Sequence, residues 1–149
     1  MSEKIVVIGS NSFSGASFLP YAIDDGFEVV GVSRSKEPDS VFLPYKYLGN
    51  DIEFYQLDLN HDLDKIMTLI NSNKPEYVVN FSAQSMVAQS WDHPDHWFQT
   101  NVVSTVMLHD RLRRCDFLKK YIHISTPEVY GNCEGYIKEN NSYYPSTPY

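Results

Sequence analysis

The chain has 149 residues and a formal net charge of −7, with 12 Lys and Arg against 19 Asp and Glu. That length allows about one domain with a real core. The acidic balance, with no Lys/Arg stripe to track phosphates, argues against a nucleic-acid surface.

No apolar run approaches the roughly 20 residues of a membrane span. Eleven Tyr and eight Phe suit a folded domain rather than a disordered one. The start, Met1-Ser2-Glu3-Lys4, leads into a strand pattern without a signal-peptide profile. Cys115 and Cys133 lack metal-ligand spacing and read as reduced thiols, which places the chain in the cytoplasm.

Taken in order, residues 5–8 form a short unbroken apolar run, the pattern of a buried parallel strand. The run stops at Gly9, and a helix is predicted over 12–25, closed by Gly26 and bent or broken late at Pro20. A strand that turns on glycine into a helix collects free N–H groups and the positive end of the helix dipole at one place. That place favours a diphosphate. Gly9, Asn11, Ser12, Phe13, Ser14 and Gly15 are therefore the first candidate cofactor-binding residues. Gly9 and Gly15 have the outer spacing of a G-x-x-G-x-x-G loop, with Ser12 where the middle glycine would stand.

A second strand is predicted over 27–32. Residues 33–51, with Pro38, Pro44, Gly49 and Asn50, read as a long connection with little regular structure. A third strand spans 52–58, with Ile52, Phe54 and Tyr55 as inward positions. A helix spans 62–71 with Leu63, Ile66, Met67 and Ile70 on one face. A fourth strand covers 77–81. A long amphipathic helix over 92–115 carries Trp97, Val102, Val106 and Leu108, and a fifth strand covers 120–125.

This alternation specifies an α/β fold: a Rossmann-like, doubly wound parallel sheet of order 3-2-1-4-5 in three α/β/α layers. Ligands in such sheets bind over the carboxyl ends of the strands at the switch point, and polar residues gather there. Ser33 and Arg34 follow the second strand, where an acid usually meets the adenosine ribose. With no acid present, Arg34 reads either as a partner for a 2′-phosphate, favouring NADP over NAD, or as a surface cation. Asp58 and Leu59 follow the third strand, bordering adenine or capping the next helix. Two histidines and two carboxylates in 91–97 suggest metal, but Asp92 before Pro94 reads as a helix start, and no metal is assigned.

After the fourth strand comes Phe81-Ser82-Ala83-Gln84-Ser85-Met86-Val87-Ala88-Gln89-Ser90, and after the fifth Ser125-Thr126-Pro127-Glu128-Val129-Tyr130-Gly131. With Pro145-Ser146-Thr147-Pro148-Tyr149, these runs resemble the extended short-chain dehydrogenase/reductase family, NAD-dependent epimerases and dehydratases acting on nucleotide sugars. Within it they are most similar to the nucleotide-sugar 4,6-dehydratases of GDP-mannose or dTDP-glucose type.

The resemblance implies that Tyr149 is the base of a Tyr-x-x-x-Lys pair and that Thr126, alone or with Ser125, hydrogen-bonds the same sugar oxygen. It implies that Glu128 takes the C5 proton. Phe81, Ser82, Ala83, Gln84 and Thr100 become cofactor-binding positions, and Ser85, Val87, Ser125 and Thr126 substrate-binding ones. Pro127 departs from the aspartic acid of the dTDP-glucose enzymes, as in the GDP-mannose type. UDP-glucuronate decarboxylases share the Ser-Thr-x-Glu run, and a 4-epimerase needs no such carboxylate. A non-catalytic NAD(P)-binding regulatory domain is the remaining alternative.

Residues 1–149 then form an NAD(P)-binding Rossmann domain that stops at the catalytic tyrosine, without the second, substrate-holding domain. Alone it is expected to be inactive. The full-length relatives dimerise through the helix that holds Asn101 and the helix that would start at Tyr149, so an exposed apolar surface is expected. Asn101 itself reads as a brace of the sheet through its amide rather than a substrate ligand.

Overall fold

The computed structural model describes residues 2–139 and 142–149. Five strands, β1 (Lys4–Ile8), β2 (Glu28–Ser33), β3 (Glu53–Gln56), β4 (Tyr77–Asn80) and β5 (Lys120–His123), form one parallel sheet in the order β3-β2-β1-β4-β5. Val6 stands opposite Val30 on one side and Val78 on the other, so β1 lies at the centre. Alternate residues feed two cores, because successive side chains of a strand leave opposite faces. Val6, Ile8, Val30 and Val32 pack with Ile66, Ile70, Leu108 and Leu112. Ile5, Val7, Val29 and Val79 pack with Ala16, Leu19, Leu43 and Tyr45. The layers are α/β/α, as the alternation predicts.

Helix α1 (Phe13–Asp24) opens on Ser12, whose side chain accepts from the Gly15 N–H at 3.0 Å. It closes as a Schellman motif: Gly26, at φ +86°, donates to Ile23 O at 2.9 Å, and Phe27 donates to Ala22 O at 3.0 Å. Pro20 lies inside α1 without ending it.

The connection 33–51 is more regular than its composition suggests. A 3-10 turn (Ser40–Phe42) precedes the short helix α2 (Pro44–Tyr47), and Leu43 and Tyr45 are fully buried. The two side chains complete the core over α1, and Pro44 starts the turn because the first helical position needs no N–H. The Tyr45 hydroxyl donates to Glu37, which also pairs with Lys46 at 2.6 Å. Burial first, then the Glu37 carboxylate, pushes the Tyr45 phenol far above its ordinary value.

Helix α3 (Leu63–Asn73) buries Leu63, Ile66, Met67 and Ile70. A helix that the sequence reading did not include, α4 (Val87–Asp92), comes first, and the single helix predicted over 92–115 is divided into α5 (Pro94–Trp97), a π-helical segment (Phe98–Ser104) and α6 (Thr105–Leu112). Pro94 cannot continue the α4 hydrogen-bond ladder, so the chain restarts there instead of beginning at Asp92. Trp97, Leu108 and Leu112 are buried, whereas Val102 and Val106 face out with Phe98, Val103 and Met107. The wider turn at 98–104 offsets the face that regular α spacing assigns to Val102 and Val106. The apolar surface expected on this element is present.

Candidate functional site

The carboxyl ends of β1 to β4 surround a cleft of about 260 Å³, lined by Gly9, Asn11, Ser12, Ser33, Arg34, Asp58, Leu59, Phe81, Ser82, Ala83, Ser85 and Thr100 among others. Twelve of the predicted cofactor and substrate positions thus converge on one space. Gln84 lies in an adjoining depression that shares Arg34 and Thr100.

The turn after β1 is shaped by backbone proximity. Gly9 has φ +84°, and a Cβ there would stand 2.7 Å from Ser82 N; at Gly15 it would stand 2.2 Å from Gly9 O. These positions take no side chain, and their bareness brings backbone to the cleft, as a bound diphosphate requires. Ser12 does not obstruct it: its hydroxyl turns back to cap α1. Gly15's N–H is occupied by that cap, so the unused first-turn donors are those of Phe13 and Ser14. Phe13's side chain is 90% exposed and does not line the cleft. Asn11 donates through its backbone to Ser33 Oγ at 2.9 Å and through Nδ2 to Ser35 O at 3.0 Å, while its buried Oδ1 has no partner. An unpartnered buried acceptor beside an open cleft fits a ligand hydroxyl. These residues suit a dinucleotide.

Arg34 reaches across the cleft mouth, donating to Gln84 Oε1 at 3.3 Å. None of the ion pairs among the described residues includes it. The Asp58 side chain accepts from Asn60 N at 2.8 Å, so it braces its own turn while lining the cleft.

Asn60 also lines this wall. It donates to Thr100 Oγ1 at 3.0 Å and accepts from Ser104 Oγ at 2.8 Å, tying the turn after β3 to the π-helical segment. Its place directly after Asp58-Leu59 was the only sequence cue.

Asn80, fully buried at the end of β4, accepts from Ser82 N at 2.9 Å and Ser82 Oγ at 2.5 Å. Its Nδ2 faces the Tyr121 hydroxyl at 3.2 Å and His123 Nδ1 at 3.3 Å. Burial pushes the Tyr121 phenol up and the His123 imidazole down.

Beyond β5, a 3-10 turn (Pro127–Tyr130) is capped by Thr126, whose Oγ1 accepts from Glu128 N at 3.3 Å. Thr126 therefore caps this turn, and its hydroxyl hydrogen stays available to donate. Glu128 is half-buried, and among the described residues its carboxylate takes part in no hydrogen bond or ion pair. Among the described residues the cap of this turn is Thr126 and not Glu128. Ser125 is exposed, Val87 opens α4, and Tyr149 is half-buried. Gly131, at φ +66°, lets the chain turn so that Tyr144 N donates to Val129 O at 2.9 Å.

Among the described residues no three His, Cys, Asp or Glu side chains gather as a metal site. His93 and His96 stack on each other at 5.2 Å. No helix of the described residues is long and apolar enough to cross a membrane.

Comparison with known proteins agrees with this geometry. The family model described as GDP-mannose 4,6 dehydratase matches residues 6–149. A dTDP-glucose 4,6-dehydratase of Xanthomonas campestris pv. campestris is 31% identical over 97% of this chain and 44% of its own length. A GDP-mannose 4,6-dehydratase of Vibrio cholerae is 26% identical over 100% of this chain and 42% of its own. The chain thus spans under half the length of these curated relatives. Among solved structures, a UDP-glucose-4-epimerase from Stenotrophomonas maltophila, with bound NAD and formylated UDP-arabinopyranose, superposes with a TM-score of 0.87 at 22% identity. That match covers 99% of this chain and 44% of the other. A UDP-glucose 4-epimerase from Thermotoga maritima, with UDP-glucose, has a TM-score of 0.82 at 26% identity over 98% of this chain and 46% of its own.

Proposed function

The chain belongs to the GDP-mannose 4,6-dehydratase family, and from that premise we propose that it is the cofactor-binding part of a nucleotide-sugar 4,6-dehydratase. The observation that carries the reading is Glu128: a half-buried carboxylate just past β5 that no described residue engages, beside a threonine whose hydroxyl can still donate. When bound, a nicotinamide dinucleotide supplies a place for hydride to rest and return from.

The chain's own residues handle the protons. Tyr149 removes the proton of the sugar 4-hydroxyl, and Thr126, with Ser125 beside it, donates to the same oxygen. A phenol near pKa 10 needs a nearby cation to do this at neutral pH, and the lysine of the family's Tyr-x-x-x-Lys pair would stand at position 153. Glu128 takes the C5 proton, acidified by the 4-keto group, so that water leaves from C6. Pro127 has no proton to donate, so Glu128 or a water returns one to the leaving hydroxyl.

Arg34, with no acid beside it at the end of β2, favours NADP over NAD. Ser85, Val87 and Ser125 would border the sugar, and the nucleotide end would be held by a second domain carried beyond these residues. The exposed face of Phe98, Val102, Val106 and Met107 would pair with a second copy in a homodimer.

The test is to incubate the full-length polypeptide with GDP-mannose, dTDP-glucose and UDP-sugars in deuterated water and read product masses. A product lighter by one water, with deuterium retained at C5, is the expected result. Unchanged mass without label would mean a 4-epimerase, and loss of carbon dioxide from UDP-glucuronate a decarboxylase. No turnover alongside tight dinucleotide binding would mean a regulatory domain. Glu128→Gln should lower dehydration by roughly 10²–10⁴-fold while the bound cofactor is still reduced by substrate. Retention of dehydration by that variant would remove Glu128 from the mechanism.

A further inference from the structure

The loop 81–86 has no regular secondary structure, yet it supplies Phe81, Ser82, Ala83 and Ser85 to the cleft. It ends in Met86 at φ +81°, a left-handed conformation that a non-glycine residue holds only when its surroundings over-determine it. The start of the loop is held by Asn80 through Ser82. Its middle is held by one other side chain. Asn101 Oδ1 accepts from Gln84 N at 2.8 Å, and Asn101 Nδ2 donates to Gln84 O at 3.1 Å. The carboxamide pairs with the Gln84 peptide groups as a neighbouring strand would, and neither bond goes to the sheet.

We infer that Asn101 is a positioning residue for dinucleotide binding: it fixes the loop 81–86, and through Gln84 the side chain of Arg34, in the cofactor-receiving arrangement. The inference rests on the cofactor reading above. The chain of contacts is continuous. Asn101 holds the Gln84 backbone, and the Gln84 side chain accepts from Arg34 across the cleft mouth at 3.3 Å. The loops after β2 and β4 are thereby linked by a residue that lies outside the cleft lining.

The π-helical segment explains how Asn101 reaches. An i→i+5 helix has more residues per turn than an α-helix, so its angular step is smaller, and two successive side chains can both turn inward. Thr100 meets Asn60 at 3.0 Å while Asn101 meets Gln84. The Thr100 carbonyl takes the Thr105 hydroxyl at 3.2 Å. The segment thus serves both walls of the cleft from adjacent positions.

The experiment compares wild type, Asn101→Ala and Leu112→Val in the intact chain. Leu112 is buried on α6 among sheet and α3 residues, outside the cleft lining, and its truncation reports simple loss of stability. Amide hydrogen exchange at Gln84 and titrations with NADPH and NADH are read beside thermal unfolding. Asn101→Ala should speed Gln84 exchange at least tenfold and weaken NADPH binding about tenfold, with a smaller change for NADH. Leu112→Val should lower the unfolding temperature without either effect. Unchanged Gln84 exchange in Asn101→Ala, or an equal affinity loss in Leu112→Val, would overturn the inference. If wild type binds neither dinucleotide, the cofactor reading falls, and with it the positioning role; the Gln84 exchange then judges only the clamp.

Discussion

Replacing Gly15 by alanine sets two effects against each other, and the structure decides the sign. Alanine is the better helix former, by up to about 1 kcal/mol in a helix interior and by less in a first turn. Against that stands space. The added Cβ would lie 2.2 Å from Gly9 O and 2.9 Å from Ser12 Oγ, the first more than 1 Å inside ordinary contact. Gly9 cannot retreat. Its N–H is bonded to Val32 O at 2.7 Å, its carbonyl accepts from Ser12 N at 2.9 Å, and the Ser82 backbone closes its other side. Helix α1 must therefore shift outward, loosening the Ser12 cap and the packing of Ala16 and Leu19. Overpacking of this kind costs roughly 1–3 kcal/mol, to which a lost cap adds about 1. After the propensity gain, Gly15→Ala should destabilise by about 2 kcal/mol. For a domain of this size that is a fall of roughly 4–8 °C in Tm. Urea unfolding at fixed pH should show a lower midpoint at unchanged slope. A midpoint equal to or above wild type would refute the steric argument, because helix propensity would then have won.

Two further outcomes follow from the same turn and from the end of β5. Ser12→Ala should cost about 1 kcal/mol through loss of the cap to Gly15 N, whereas Ser12→Gly should cost only a few tenths; a Ser12→Ala urea midpoint equal to wild type would mean that the hydroxyl is not the cap. Burial holds the His123 imidazole below its ordinary value, with Tyr121 and Asn80 facing it and His109 stacked on Tyr121. The unfolded chain therefore takes up the proton more readily, so this contribution is whole above about pH 6.5 and fades as the pH falls through the folded-state value. Urea midpoints between pH 8 and 5 should fall less in His123→Gln than in wild type, and parallel curves would show that His123 does not carry the effect.

The sheet was legible because its signals are local. Unbroken apolar runs such as Ile5-Val6-Val7-Ile8 have no place except a doubly covered parallel strand, and regular alternation with helices leaves few topologies. Strand ends were less legible: β5 stops at His123 rather than Ser125, since an edge strand ends where its neighbour β4 ends at Asn80. The connection 33–51 was misread because its Pro and Gly content speaks for the backbone, whereas Leu43 and Tyr45 are retained by a core built from distant residues. The division of the helix over 92–115 had a local cause in Pro94, but the π-helical turn had none. It accompanies bonds that Asn60 and Gln84, from other parts of the fold, make to Thr100, Ser104 and Asn101.

The candidate site divides along the same line. Residues that act through backbone geometry or by standing just past a strand, Gly9, Gly15, Ser33, Asp58 and Ser82, could be placed by counting from strand ends. Residues that act by holding another residue could not. Asn60 gave no cue beyond following Asp58-Leu59, and Asn101 reads from sequence as a brace of the sheet, whereas the folded chain shows its bonds going to Gln84 and those of Asn60 to Thr100. Glu128 is the instructive intermediate case. From sequence, a cap and a catalytic base predict the same residue at the same position. The structure adds a single hydrogen bond: Thr126 Oγ1 takes the Glu128 N–H and caps the turn, and among the described residues the Glu128 carboxylate has no partner. A half-buried carboxylate that no described residue engages is the point at which a functional and a structural role predict different outcomes, and the Glu128→Gln variant tells them apart.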